Sequence, residues 1–352
     1  MQPSPDFQSL PSVGNSDHYL DVAFRAAKDA TDLMRGGMGR GKTRLDKSKQ
    51  IEIQRISKVN NTFQRMLGKI LESFPSFDRL PPFYNALVKA TVDYGMLKKS
   101  LGAVQWAKEQ ANRMASGHIQ QIRRVQQLDH INPIRTQYYG RVASVIKQIN
   151  KNFLILEDSR RTMKRYPVIK DLPTIVIAGY PNVGKTTLLR ALTGSEPAIA
   201  PYPFTTQELM MSYYEYKGVK YQVIDTPGLL DRPLTERKPA ELHAILALTH
   251  LASLIIFLTD PTEICGYTLA DQEKLFSTIK KEFKQPGIYV TNKSDIQEQP
   301  TKKGVVHVSA DKGTGIEELK KKIKEKIDKI MPVEKPVESQ ATESPENIVE
   351  EE

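Results

Sequence analysis

The first part of the chain repeats hydrophobic residues at helical spacing. Between Ser16 and Met34, apolar side chains recur every three or four residues, and Ser16 stands where an N-cap is expected. Three more periodic segments follow, and they run from Ile56 to Ile70, from Pro81-Pro82 through Val104, and from Val142 to Leu156. A single apolar stripe on each helix is typical of core positions in a bundle. The pattern predicts an antiparallel helical bundle over residues 1–168.

From Thr174 onward, short β-branched runs alternate with helical patterns. The predicted strands are 174–177, 221–224, 254–258, 288–290 and 305–306, and the predicted helices are 186–193, 239–252, 268–284 and 314–330. This alternation indicates βαβ units, hence a mainly parallel sheet flanked by helices over residues 169–331. The fold class is therefore α followed by α/β. Ligands of such sheets bind at the carboxyl ends of the strands.

Composition excludes several classes of protein. The chain has 352 residues and one cysteine, Cys265, so no intramolecular disulfide can form. The strongest apolar run, Leu251 to Leu258, is far shorter than the ~20 residues that cross a bilayer. No basic segment followed by an apolar stretch begins the chain. We expect a soluble, cytoplasmic protein that does not enter a membrane and is a monomer when free.

The net charge of +10 is unevenly distributed. Residues 1–170 carry +15, residues 171–330 carry +1 and residues 331–352 carry −6. An excess of this size points to a polyanionic partner, with nucleic acid ahead of an acidic protein or an anionic membrane. The candidate RNA-binding residues lie in a glycine-rich segment and in two arginine pairs: Arg35, Arg40, Lys42, Arg123, Arg124, Arg160 and Arg161. The alternative is a solvated surface. Residues 332–352 have the composition of a disordered acidic tail.

A phosphate-binding loop follows the first predicted strand. The run fits GxxxxGK[ST] and opens a predicted helix, and its candidate phosphate-binding residues are Gly179, Tyr180, Pro181, Asn182, Val183, Gly184, Lys185, Thr186 and Thr187. The glycines allow backbone N–H groups to turn toward a β-phosphate at a helix N-terminus. Lys185 would bridge the β- and γ-phosphates, and the Thr186 hydroxyl would bind Mg²⁺.

A second motif is predicted to respond to the γ-phosphate. Asp225 ends a predicted strand, where its carboxylate can hold Mg²⁺ through water, and the Gly228 N–H can contact the γ-phosphate. Thr206 lies between the two motifs and is a candidate to complete the Mg²⁺ shell. The predicted switch residues are Thr205, Thr206, Asp225, Thr226, Pro227, Gly228 and Leu229.

A third motif selects the base. Asp295, in Asn292-Lys-Ser-Asp295, can accept hydrogen bonds from guanine N1–H and the 2-amino group, which adenine cannot supply. Lys293 would stack along the base, and Asn292 would tie this loop to the phosphate loop. Ser309-Ala310 follows the next strand and would offer a backbone N–H to guanine O6. The motifs predict GTP as substrate and GDP as product.

The residue after Gly228 departs from the usual hydrolytic pattern. Ras-like enzymes have a glutamine there that orients the attacking water, whereas this chain has Leu229. An aliphatic side chain cannot position water, so slow intrinsic hydrolysis is expected. Asn182 resembles the asparagine with which potassium-activated GTPases hold K⁺ beside the phosphates. We therefore expect K⁺ to stimulate turnover.

Five segments together resemble the nucleolar GTP-binding protein (NOG) family of Obg-like GTPases: Asn182-Val-Gly-Lys185, Pro203-Phe-Thr-Thr206, Asp225 to Pro233, Cys265-Gly-Tyr267 and Asn292-Lys-Ser-Asp295. Residues 74–84 and 140–147 resemble the helical domain of that family. The resemblance implies a bundle that docks on ribosomal RNA, a GTPase domain and a role in assembling the large ribosomal subunit. Thr186 stands where many members have serine. The resemblance is to the short archaeal form, which is expected to lack the long C-terminal extension of eukaryotic members.

The leading functional hypothesis is an assembly factor for the large ribosomal subunit. In this interpretation the basic domain docks on rRNA of a pre-ribosomal particle. GTP hydrolysis then releases the factor, and a ribosomal component is the candidate activator of hydrolysis. One alternative is a GTPase that acts on tRNA or translating ribosomes. A second alternative is a signalling adaptor whose helical domain binds protein, and such binding should depend little on salt.

Overall fold

A computed structural model describes residues 5–36, 43–202, 208–231, 237, 239–297 and 304–331. Among these residues, the helical part has the α-helices α1 Ser16–Gly36, α2 Arg44–Ser73, α3 Pro82–Thr91, α4 Tyr94–Arg124, α5 Ile131–Gln148 and α6 Asn150–Met163. Short 3-10 turns occur at Phe7–Ser9, Phe77–Arg79 and Leu128–His130. Among all the residues that the structure describes, no helix is long and apolar enough to span a bilayer.

The long helices form an antiparallel bundle. α2 packs against α1 and α4, and α4 packs against α5 and α6. Hydrogen bonds between α2 and α4 show the direction, since Asn60 bonds to Asn112 and Gln64 bonds to the Lys108 carbonyl. As residue numbers rise along one helix, they fall along its neighbour. The predicted bundle is therefore confirmed.

Two predicted helices are in fact pairs of helices. The segment from Pro82 to Val104 breaks at Val92, and α4 starts anew because the Asp93 carboxylate accepts the Met96 N–H at 3.0 Å. The segment from Val142 to Leu156 breaks at Ile149, where α5 ends and α6 begins. The predicted stripes are still buried, so the error concerns the breaks and not the core.

The second part is a seven-stranded sheet covered by helices. Its strands are β1 Thr174–Ala178, β2 Ala198–Ala200, β3 Leu209–Tyr216, β4 Val219–Asp225, β5 Leu254–Thr259, β6 Gly287–Thr291 and β7 Val305–His307. Its helices are α7 Lys185–Thr193, α8 Pro239–Thr249, α9 Leu269–Glu282 and α10 Ile316–Ile330. The spatial order is β2-β3-β4-β1-β5-β6-β7, and only the β2–β3 and β3–β4 pairs are antiparallel. The predicted, mainly parallel sheet is confirmed.

Two hydrophobic cores meet at the central strand β1. Val176 contributes to a cluster that continues into the helical bundle, whereas Ile175 and Ile177 face the cluster that α7 and α10 cover. α3 packs against α8, and the Tyr84 hydroxyl donates to the Pro167 carbonyl (3.0 Å) and accepts the Ile169 N–H (2.9 Å). These contacts attach the bundle to one face of the sheet and leave the carboxyl ends of the strands for the site.

Candidate functional site

The phosphate loop lies between β1 and α7, and its shape requires glycine. Gly184 has φ of +98°, and a Cβ there would lie 2.3 Å from Asn292 Nδ2. Gly179 is equally confined, since its Cβ would lie 2.4 Å from the Leu258 carbonyl oxygen. The Asn292 side chain and the backbone of β5 therefore approach this turn closely. Thr187 is exposed in the first turn of α7, where free N–H groups favour an anion.

Lys185 is folded back across the loop. Its Nζ donates to the carbonyl oxygens of Gly179 at 3.0 Å and Tyr180 at 2.8 Å. The side chain is buried, and burial lowers the pKa of the ammonium. Among the described residues the hydrogen bonds of this buried ammonium go to neutral carbonyls, so it is suited to bind the charged oxygens of a phosphate.

Thr186 and Asp225 meet at the carboxyl ends of β1 and β4. The Thr186 hydroxyl donates to Asp225 Oδ2 at 2.7 Å, and burial raises the pKa of this carboxyl group. The other oxygen, Oδ1, is buried and has no hydrogen-bond partner among the described residues. A buried carboxylate oxygen that lacks a hydrogen-bond partner and lies next to a hydroxyl can serve as a ligand for a hard cation such as Mg²⁺. Two of the three predicted magnesium ligands are thus in contact, and the third, Thr206, lies outside the described residues.

The segment after β4 turns back beneath the phosphate loop. The Thr226 hydroxyl donates to the Ile177 carbonyl at 3.4 Å, and the Gly179 N–H donates to the Leu230 carbonyl at 3.0 Å. Gly228 has φ of +70°. Leu229 is 1% exposed in the core, so its side chain does not face an attacking water. The predicted residues Thr205 and Thr206 lie outside the described residues.

Arg237 is a functional candidate that the sequence analysis missed. Its guanidinium is fully buried, donates to the Gly228 carbonyl and to Asp231 at 2.7 Å, and forms an ion pair with Glu241 at 3.5 Å. Its Nε has no partner in the described part of the chain. The arginine therefore holds Gly228 through its carbonyl, and the N–H of the same residue is expected to contact the γ-phosphate. Its position shortly after the predicted switch residue Leu229 was the available signal.

Asn292 joins three loops. Its Nδ2 donates to the Val183 carbonyl at 2.9 Å, and its Oδ1 accepts the Ala310 N–H at 3.0 Å. Asp295 lies nearby with an exposed carboxylate, and a hydrogen bond from Ser309 holds its pKa below the usual value. All five residues predicted to bind guanine thus lie together at the ends of β6 and β7. An ionised Asp295 has the acceptor character that guanine N1–H and its amino group require.

Asp260 connects the base-recognition loop with the Cys265-Gly-Tyr267 segment. The carboxylate is buried at the end of β5, where it pairs with Lys293 Nζ at 2.6 Å and accepts the Cys265 N–H at 3.0 Å. Tyr267 in turn stacks on Tyr180 of the phosphate loop, with ring centroids 4.1 Å apart. Sequence analysis gave Asp260 and Tyr267 no role. A carboxylate directly after a strand at this sheet edge was the available signal.

The predicted RNA-binding residues differ in exposure. Arg123 and Arg124 are exposed in the last turn of α4. Arg161 is 70% exposed, but Arg160 is 13% exposed and forms two 2.7 Å bonds to Glu157. Arg160 is therefore committed to an internal ion pair, which lowers the pKa of Glu157 to about 2. Arg35 lies at the end of α1, and Arg40 and Lys42 lie outside the described residues.

Fold and site together define a P-loop GTPase preceded by a helical domain. A family model described as "NOG1 N-terminal helical domain" matches residues 7–170, and one described as "50S ribosome-binding GTPase" matches residues 174–293. An uncharacterized protein of Methanocaldococcus jannaschii is 37% identical over 83% of this chain and 82% of its own length. Nucleolar GTP-binding protein 1 of Arabidopsis thaliana is 30% identical over 83% of this chain and 43% of its own length.

The chain belongs to the NOG1 family, whose named members are nucleolar GTP-binding proteins. It spans less than half the length of the Arabidopsis relative. A solved structure of a candidate nucleolar GTP-binding protein 1 from Plasmodium falciparum is 29% identical, with 47% of this chain and 92% of that chain aligned at a TM-score of 0.43.

Proposed function

We propose that this protein binds GTP with Mg²⁺, hydrolyses it to GDP and phosphate, and uses the cycle to control docking on rRNA of the large ribosomal subunit. The observation that best supports nucleotide binding is the pair of hydrogen bonds by which Asn292 connects two loops. This side chain joins the phosphate loop at Val183 to the Ala310 loop, so phosphate binding and base recognition belong to one site. Family membership supports the same activity.

The residues divide the work on the nucleotide. Backbone N–H groups at the start of α7 and the Lys185 ammonium bind phosphate oxygens, while Asp295 and the Ala310 N–H select guanine. Thr186 and Asp225 would hold Mg²⁺, which supplies positive charge against the phosphates when bound. Asp225 Oδ1 is buried, has no hydrogen-bond partner among the described residues and would serve this purpose.

Hydrolysis by the isolated protein should be slow, because Leu229 is buried and offers no hydrogen bond to water. We propose that K⁺ near Asn182 stimulates turnover. Asn182 is exposed in the phosphate loop with φ of +63°, so its amide is accessible. Turnover should be faster in KCl than in NaCl, and the difference should vanish in Asn182→Ala. Equal rates of the wild type in both salts would reject the K⁺ site.

The helical domain is the proposed RNA-binding part. Its +15 charge contrasts with +1 for residues 171–330, so the positive surplus is not needed by the nucleotide site. The names of the relatives and of the GTPase family model point to the nucleolus and the 50S ribosome, which supports a role in assembling the large subunit. We propose that the factor is a cytoplasmic monomer when free and that hydrolysis, aided by a ribosomal component, releases it.

Crosslinking in cells tests the partner. The protein locked with a non-hydrolysable GTP analogue should recover immature large-subunit rRNA. Recovery of tRNA or mature ribosomes would instead support a translational GTPase. Recovery of protein without RNA, with binding insensitive to salt, would support a signalling adaptor.

A further inference from the structure

The exposed face of α4 combines positive charge with an aromatic side chain. α4 contains six basic residues and one acidic residue, Glu109. Lys99, Trp106, Arg113 and Arg124 follow one another at intervals of seven or eleven residues, which places them on one side of a helix. The opposite side is the buried stripe from Leu97 to Ile122. We call these four residues the α4 stripe.

The positive charges of the α4 stripe are not neutralised by ion pairs with the described residues of the chain. Lys99, Arg113 and Arg124 are exposed and form no ion pair with any described residue. The adjacent Lys98 is different, since it pairs with Asp78 at 3.1 Å. Three cations along one helix therefore face solvent without a counter-charge.

Trp106 is held beside one of these cations. The indole is half-buried against the core of the bundle. With the Gln110 amide in its hydrogen-bonded orientation, the amide oxygen accepts from Trp106 Nε1 at 3.3 Å and from Arg113 at 2.9 Å. The shared acceptor fixes both side chains, so an aromatic surface lies next to a guanidinium.

Two glycines leave open space along the same face. Gly102 and Gly117 lie inside α4, are exposed, and have no atom within 4 Å of the position where a Cβ would stand. Glycine inside a helix is less stable than alanine, and no contact within the described chain requires it at either position. Each glycine lies one turn from a stripe residue, Gly102 before Trp106 and Gly117 after Arg113. The helix backbone is therefore accessible to a partner at these points.

We propose that the α4 stripe is the surface that contacts RNA, an inference that rests on the proposed function. Lys99, Arg113 and Arg124 contact phosphates, and Trp106 stacks on an unpaired base. The backbone at the two glycines allows close approach of the RNA chain. Unpaired RNA fits this surface better than an acidic protein does, because exposed bases stack on aromatic rings beside cations.

Charge reversal tests the surface. Arg113→Glu/Arg124→Glu is compared with Arg65→Glu/Lys69→Glu, which reverses two charges on the exposed face of α2. The full chain with a non-hydrolysable GTP analogue and Mg²⁺ binds a labelled RNA hairpin with an unpaired loop, and binding is measured by anisotropy over a KCl series. The α4 variant should bind more than about 10-fold more weakly, with a log–log salt slope smaller by about 1.4–1.8, as two lost phosphate contacts require. The α2 variant should stay within about twofold of the wild type.

Separate variants test the base stacking on Trp106 and the close approach of RNA at the two glycines. Trp106→Ala should bind the hairpin about 10-fold more weakly with an unchanged salt slope, and Trp106→Phe should retain most affinity. Gly102→Gln and Gly117→Gln should raise the melting temperature, because glutamine favours helix, yet weaken RNA binding about fivefold by filling the space. A more stable protein that binds RNA less well cannot be explained by misfolding.

The outcomes separate the two proposals. If the wild type shows no salt-dependent binding to the hairpin, or binds an acidic protein instead, RNA docking by the helical domain is wrong and the α4 stripe fails with it. If the wild type binds and the α4 variants bind equally well, the stripe is wrong while RNA docking stands. Loss of binding by the α2 variant alone would move the interface to α2.

Discussion

Asn292→Ala removes a side chain on which the geometry of the nucleotide site depends. Asn292 is 4% exposed and makes hydrogen bonds to the Val183 carbonyl and the Ala310 N–H at 2.9 and 3.0 Å. Two buried hydrogen bonds contribute about 0.5–1.5 kcal/mol each, and their backbone partners lose their bonds in the variant. We expect the free energy of unfolding to fall by about 2 kcal/mol. The melting temperature should fall by about 4–8 °C.

Nucleotide affinity should fall as well, because GDP must then order a phosphate loop that Asn292 no longer holds. If this ordering costs the same ~2 kcal/mol, the Kd for GDP rises about 30-fold, since about 1.4 kcal/mol corresponds to tenfold. Titration calorimetry measures this change.

Thr291→Val is the matched control. Thr291 Oγ1 is 2.6 Å from His307 Nδ1, in the same sheet edge, but does not contact the phosphate loop. This variant should lose stability and keep its GDP affinity. If the Kd of Asn292→Ala rises no more than that of Thr291→Val, the bridge does not organise the site.

Three further changes test neighbouring parts of the structure. Asp295→Asn should weaken GDP binding by more than about 100-fold and favour a xanthine nucleotide, whose 2-carbonyl can accept a hydrogen bond from the new amide. A competition assay measures the preference, and a variant that still prefers GDP would contradict this role of Asp295. Tyr267→Ala should raise the Kd for GDP about three- to tenfold by removing the stack on Tyr180, while Tyr267→Phe should not; equal dissociation rates of bound GDP in both variants would reject the stack. Glu157 has its pKa lowered from 4.5 to about 2, so its contribution to stability is complete above pH 4.5 and disappears as pH falls toward 2. Glu157→Gln should be less stable than the wild type at neutral pH and lack this acid-dependent loss; urea unfolding midpoints with parallel pH profiles would contradict the pairing with Arg160.

The sequence predicts the site better than it predicts the edge of the sheet. The phosphate loop follows β1, Asn292 follows β6 and Asp225 ends β4, and all three strands were predicted, so their common position follows from the strand pattern. β2 and β3 were not predicted. β3 carries mixed polar and aromatic residues, since it is antiparallel and only partly buried, and its pattern differs from the continuous apolar run of β1.

Contacts between distant residues are the part that could not be predicted. Asp260 reaches Lys293 across the sheet edge, and Arg237 reaches back to Gly228, because the topology brings separate loops together. Arg160 and Arg161 are adjacent in sequence, yet a helix turns them about 100° apart, and Arg160 faces Glu157. Charge counts identify a basic domain, but only the packing shows which cations are free.

The central claim is that the nucleotide controls RNA docking, and a single comparison tests it. Binding of the wild-type protein to immature large-subunit rRNA should be measured with a non-hydrolysable GTP analogue and with GDP at the same KCl concentration. We expect tighter binding with the GTP analogue, and dissociation when hydrolysable GTP is supplied with the activating particle. Equal affinity in the two nucleotide states would contradict it.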